Sequence, residues 1–95
     1  LDFAAYIAEL ELILEKGSRY PGAVHADPMM RVKEIVALLR GNATNGYQRE
    51  KAATVMHEFK SYFKEKRSIT EDEIKQQRSF VMDAISKLKR AYLVT

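Results

Sequence analysis

The sequence contains no cysteine, which removes disulfides, thiolate nucleophiles and thiolate zinc sites at one stroke. That absence selects no compartment, because reducing and oxidising environments both tolerate such a chain. Histidine is nearly as scarce, with only His25 and His57, so a metal site built on imidazoles would need a long-range coincidence. No uninterrupted apolar run approaches the roughly 18 to 20 residues that cross a bilayer, and no membrane insertion is expected. The chain starts at Leu1 rather than a methionine, as expected of a mature product or an excised piece, and no targeting segment is present to read.

What remains is ordinary in amount and unusual in arrangement. The 95 residues are 46% hydrophobic and 31% charged, a composition that supports one helical domain over residues 1–95 with a single core. The net charge of +3 is mild but unevenly spread. Residues 1–16 carry Asp2, Glu9, Glu11 and Glu15 against Lys16, whereas residues 42–68 carry six Lys and Arg against three Glu. Such segregation favours docking of complementary surfaces, self-association included, at least as readily as it favours a polyanion.

Periodicity and punctuation mark four helices. In the first, Asp2 caps, Phe3, Ile7, Leu10 and Leu14 share a face, and Gly17 stops the helix. Asp27 followed by Pro28 opens the second, since proline at the first helical position loses an N–H that has no partner there. Val32, Ile35, Val36 and Leu39 form its stripe and Gly41 ends it. The third helix starts within Thr44-Asn45-Gly46 and runs to about Lys66, with Ala52, Val55, Met56, Phe59 and Phe63 inward.

Ser68-Ile69-Thr70-Glu71-Asp72-Glu73-Ile74 announces the fourth helix. Thr70 caps, Glu73 completes a capping box, and Ile69 with Ile74 forms a hydrophobic staple. Ile74, Val81, Ala84, Ile85 and Leu88 are its buried set, up to about Tyr92. No strand pattern competes. The short links at 41–46 and 67–70 force antiparallel neighbours. The expected fold is all-α: an up-down-up-down antiparallel four-helix bundle with a long C-terminal helical hairpin, each long helix about 30 Å.

The motifs that would carry chemistry are incomplete. His57-Glu58 begins a zinc-protease helix, but Ser61 stands where the second histidine is needed. Glu71, Asp72 and Glu73 are the acids that a helix N-terminus favours, not a calcium loop. Gly17 to Gly22 spans two glycines of a phosphate loop, yet Pro21 interrupts the N–H cradle and no Lys-Ser/Thr follows. None of the serines stands in a nucleophile elbow. Asn42-Ala43-Thr44 fits the N-glycosylation pattern and equally a helix-ending polar turn. No enzyme, metal or cofactor is expected.

Two surfaces invite partners. Arg49, Lys51, Lys60, Lys64, Lys66 and Arg67, interleaved with Tyr47 and Tyr62 and continued by Lys87, Lys89, Arg90 and Tyr92, offer a basic aromatic face; Lys60, Lys64, Lys66 and Arg67 are the candidate contacts for nucleic acid or an acidic partner. Against that reading, Glu50, Glu58 and Glu65 interrupt the charge, and the same helix bears the main core stripe.

The stronger anomaly is a second apolar face. Ala5, Ala8 and Leu12 lie opposite the stripe of the first helix, separated from it by Glu9, Glu11 and Glu15. Met30 points away from the second helix's stripe, and Phe80 and Met82 flank that of the fourth. Single exposed apolar residues need no explanation, whereas a second stripe does. Ala5, Ala8, Leu12, Met30 and Met82 are therefore the candidate interface for a protein partner or a second copy of the chain, and a non-enzymatic interaction module or accessory subunit is the expected function.

Within this layout, the Tyr62-Phe63 pair and the Ile69-Thr70-Glu71 start of a basic last helix resemble the small extrinsic four-helix subunits on the lumenal side of photosystem II. The resemblance covers the last third of the chain, and the second helix is shorter than that family's. It implies a helical bundle serving as an extrinsic accessory subunit of a membrane complex.

Overall fold

The computed structural model describes residues 1–17, 20, 27–65 and 70–93. It is an all-α bundle of α1 (Phe3–Lys16), α2 (Pro28–Gly41), α3 (Gly46–Glu65) and α4 (Glu71–Leu93). Each helix packs mainly on its neighbours in a ring, α1 on α2 and α4, and α3 on α2 and α4, with the α3–α4 hairpin the most extensive contact. Side-chain contacts fix the directions. Phe3 at the start of α1 meets Tyr92 at the end of α4 edge-on, with ring centroids 5.0 Å apart, and Tyr92 reaches Leu39 at the end of α2. Gln48 at the start of α3 donates to the Ala91 carbonyl at 2.9 Å. These ties place the start of α1 and α3 beside the ends of α2 and α4, the up-down-up-down order.

Each described helix start follows from its sequence. Asp2 accepts from the Ala5 N–H at 3.0 Å and Asp27 from the Met29 N–H at 2.9 Å, so both satisfy N–H groups that no helical carbonyl can reach. Asn45 caps α3 by accepting from the Gln48 N–H at 2.8 Å, while Gln48 turns its amide oxygen back to the Thr44 N–H at 2.7 Å. Thr70 caps α4, accepting from the Glu73 N–H at 3.2 Å. Glu73 answers by accepting the Thr70 hydroxyl at 3.1 Å, a variant of the expected box, in which the acid would take the cap residue's backbone N–H. The staple partner Ile69, the turn at Pro21 and Gly22, and His25 lie outside the described residues.

Gly17 ends α1 at φ 57° and ψ −130°, a conformation open to glycine because it lacks a Cβ. At the end of α2, Gly41 is the last helical residue and Asn42 is the cap. The Asn42 backbone and side-chain amides both donate to the Leu38 carbonyl, at 3.2 and 2.8 Å. The glycosylation-like tripeptide is thus a helix stop here.

The core is one apolar cluster in which Ile7, Leu10, Ile13, Val32, Ile35, Leu39, Val55, Phe59, Val81 and Leu88 are fully buried. Two differences from the expected faces matter. Tyr62, expected on the basic aromatic face, is buried, while Met56 and Phe63 are half-buried at the core edge. Tyr92, expected to extend that basic face, is also buried. Long tyrosine side chains can bury the ring and still give the hydroxyl a partner, which the wheel positions alone do not capture.

Candidate functional site

The chemistry-bearing residues do not converge. His57 is exposed on α3, and no group of three or more His, Asp or Glu that could hold a metal occurs among the described residues. Glu71, Asp72 and Glu73 are exposed in the first turn of α4, where the helix dipole favours them. No described helix is long and apolar enough to cross a membrane.

The acids of α1 have a different destination. Glu9 accepts a two-pronged bond from Arg31 of α2, Nε to Oε2 at 2.5 Å and Nη2 to Oε1 at 2.9 Å. Arg31 also holds Glu34 at 3.0 Å, and Tyr20 hydrogen-bonds to Glu9. The Arg31 hydrogen bond pulls the Glu9 carboxyl below its usual range, with partial burial opposing and Tyr20 assisting. Burial first, and then the bond to Glu9, raises the Tyr20 phenol. Glu11 points the other way and accepts from Lys89 of α4 at 3.0 Å. The acidic helix is therefore clasped on both flanks by cations of its neighbours.

Between these flanks the second apolar face of α1 is open to solvent. Ala5, Ala8 and Leu12 are exposed, Leu12 at 38% and Met30 of α2 at 41%. Met30 is exposed on α2 next to Arg31, whose bond to Glu9 ties α2 to α1. Met82 is exposed at 53% but belongs to another feature. It lines a groove of about 400 Å³ between α1 and α4, whose floor is Leu14 and Ile85, whose α1 wall carries Glu11 and Glu15, and whose α4 wall carries Arg78 and Lys89. The five candidate interface residues thus divide among the outer face of α1 (Ala5, Ala8 and Leu12), α2 (Met30) and this groove (Met82).

On the basic side, Lys60 and Lys64 are exposed one turn apart on α3, while Lys66 and Arg67 lie outside the described residues. Tyr62 and Tyr92 are withdrawn into the core, and Tyr47 remains exposed with Lys51 over its ring at 5.0 Å. The interleaved aromatic face is reduced to that one pair among the described residues. The groove between α1 and α4 had no local sequence signal, because its walls come from helices at opposite ends of the chain.

Comparisons of the chain with protein-family models, curated proteins and solved structures each find no match.

Proposed function

We propose that this chain is a non-enzymatic helical interaction module, an accessory piece that docks on a protein partner through the outer face of α1. The observation that carries the reading is the exposed set Ala5, Ala8 and Leu12 on a helix whose opposite stripe already fills the core. Small residues at positions 5 and 8 let a partner helix approach closely, while Leu12 and Met30 supply apolar area and an adaptable side chain. The Glu9–Arg31 pair ties α1 to α2 beside that face.

A photocrosslinking residue at position 12 tests the reading in the source cell. One saturable adduct with a protein of different sequence, lost when Met30→Asp is added while the helical circular dichroism persists, is the expected result. Absence of any adduct from position 12, or an adduct indifferent to Met30→Asp, would overturn it.

The exposed Lys60 and Lys64 support a second reading, a polyanion-binding module. It requires binding that falls steeply with salt, with a slope reduced by about one for each neutralised phosphate contact. Unchanged binding after neutralising Lys60 and Lys64 removes it.

A further inference from the structure

The groove between α1 and α4 has properties that the outer face lacks. Its two walls have opposite charge, Glu11 and Glu15 on α1 against Arg78 and Lys89 on α4. Its floor is apolar, and Met82 stands out of it half-exposed. Among the described residues, only the Lys89–Glu11 bridge closes across it, and Glu15 and Arg78 form no ion pair.

We infer that this groove is the contact between two copies of the chain. The argument is geometric. In a two-fold dimer each copy contributes the same patch. An axis running along the groove lays α1 of one copy over α4 of the other, so each acidic wall faces a basic wall twice over. An axis across the groove would instead set acid on acid and base on base, which costs association. The charge pattern therefore both permits self-pairing and selects its orientation. With the axis along the groove, Met82, one turn after Arg78 on the α4 wall, faces α1 of the other copy, where a flexible thioether fills an irregular gap well.

The size of the face sets the strength. The 14 residues of α1 span about 21 Å, and two adjacent helices present a strip about 20 Å wide. That is roughly 400 Å² of flat face per copy, about half the ~800 Å² of a standard interface. The dimer is accordingly weak and salt-sensitive, and its measurement spans roughly micromolar to millimolar protein.

Sedimentation equilibrium of the full chain and two wall-reversed variants tests the inference. Glu11→Lys with Glu15→Lys makes both walls basic, and Arg78→Glu with Lys89→Glu makes both acidic. The wild-type chain is expected to dimerise, each variant alone to be monomeric, and an equimolar mixture of the two to restore a dimer. A wild-type chain that stays monomeric, variants that still self-associate, or a mixture that fails to pair would each overturn it. Should either variant lose its helical circular dichroism, Met82→Asp at an exposed position replaces it, with loss of the dimer expected and retention overturning the inference. Leu12→Asp separates this contact from the outer docking face: it leaves the dimer intact if the groove is the contact, and dissociation by Leu12→Asp overturns it.

Discussion

The Tyr92 hydroxyl offers the sharpest test of how this bundle is held together. Leu39 is the third-last residue of α2 and buried, and its carbonyl is one of the last four of the helix, which have no helical N–H to accept. The Leu38 and Arg40 carbonyls are met by the Asn42 and Ala43 N–H groups of the turn. The Leu39 carbonyl is met from another helix, by the Tyr92 hydroxyl at 2.7 Å. Tyr92→Phe keeps the ring, and with it the edge-on contact to Phe3, and removes only this donor.

A buried acceptor stripped of its partner costs about 1 to 3 kcal/mol. For a domain of this size each kcal/mol lowers Tm by about 4 to 8 °C. Urea unfolding should therefore show a lower midpoint with an unchanged slope, since the exposed area on unfolding barely changes. Tyr47→Phe, at a 54% exposed ring, serves as the control and should move stability by less than about 0.5 kcal/mol. Burial raises the Tyr92 phenol, with Arg49 and Arg40 pulling against it. The sign follows: the unfolded phenol ionises first, so this stabilisation is complete below about pH 10 and is lost as pH rises through the folded value. The gap between wild type and Tyr92→Phe should narrow above about pH 10. A loss below about 0.5 kcal/mol at neutral pH, equal to the Tyr47→Phe control, would refute the claim that α4 completes the end of α2.

Three further perturbations probe other joints. Glu9→Gln should cost about 1 to 3 kcal/mol at pH 7; because the folded Glu9 carboxyl lies below its usual value, the difference should be present above about pH 4.3 and disappear as pH falls through the folded value, read by denaturant titration across that range. Thr70→Ala removes the cap on the Glu73 N–H and should lower stability by about 1 kcal/mol, with amide exchange accelerating in the first turn of α4. Gly17→Ala forces a Cβ into φ 57° and ψ −130° and should cost about 1 to 3 kcal/mol in urea unfolding, whereas Gly41→Ala, with no atom within 4 Å of the added Cβ, should cost nothing measurable.

The architecture was legible because its signals are local. The caps at Asp2, Asp27 and Thr70, the glycine at 17 and the stripes of α1, α2 and α4 depend on residues within one or two turns, and short links restrict how such helices can be ordered. The Asn45–Gln48 cap is local in the same way, an amide three residues after the N-cap. The fates of Tyr62 and Tyr92 were not legible. Whether a tyrosine faces solvent or the core depends on a distant acceptor, and the partner of Tyr92 lies 53 positions away in sequence. The groove between α1 and α4 was hidden for the same reason, since its walls come from the two ends of the chain.

Those distant contacts change the meaning of the charge segregation. Read along the sequence, an acidic first helix set against a basic remainder is a surface dipole looking outward for a partner. In the bundle, Asp2 is consumed as a cap, Glu9 is clasped by Arg31, and Glu11 by Lys89. Three of the four acids of residues 1–16 therefore work within the chain, Asp2 as a local cap and Glu9 and Glu11 in fixing α1 between α2 and α4. Glu15 is the acid left over, and it stands on the same groove as Arg78, with which it makes no ion pair. With Glu9 committed to Arg31, the docking proposed for the outer face of Ala5, Ala8 and Leu12 rests on apolar contact. Glu15 and Arg78 leave an electrostatic preference in the groove, where the opposite walls are complementary to those of a second copy.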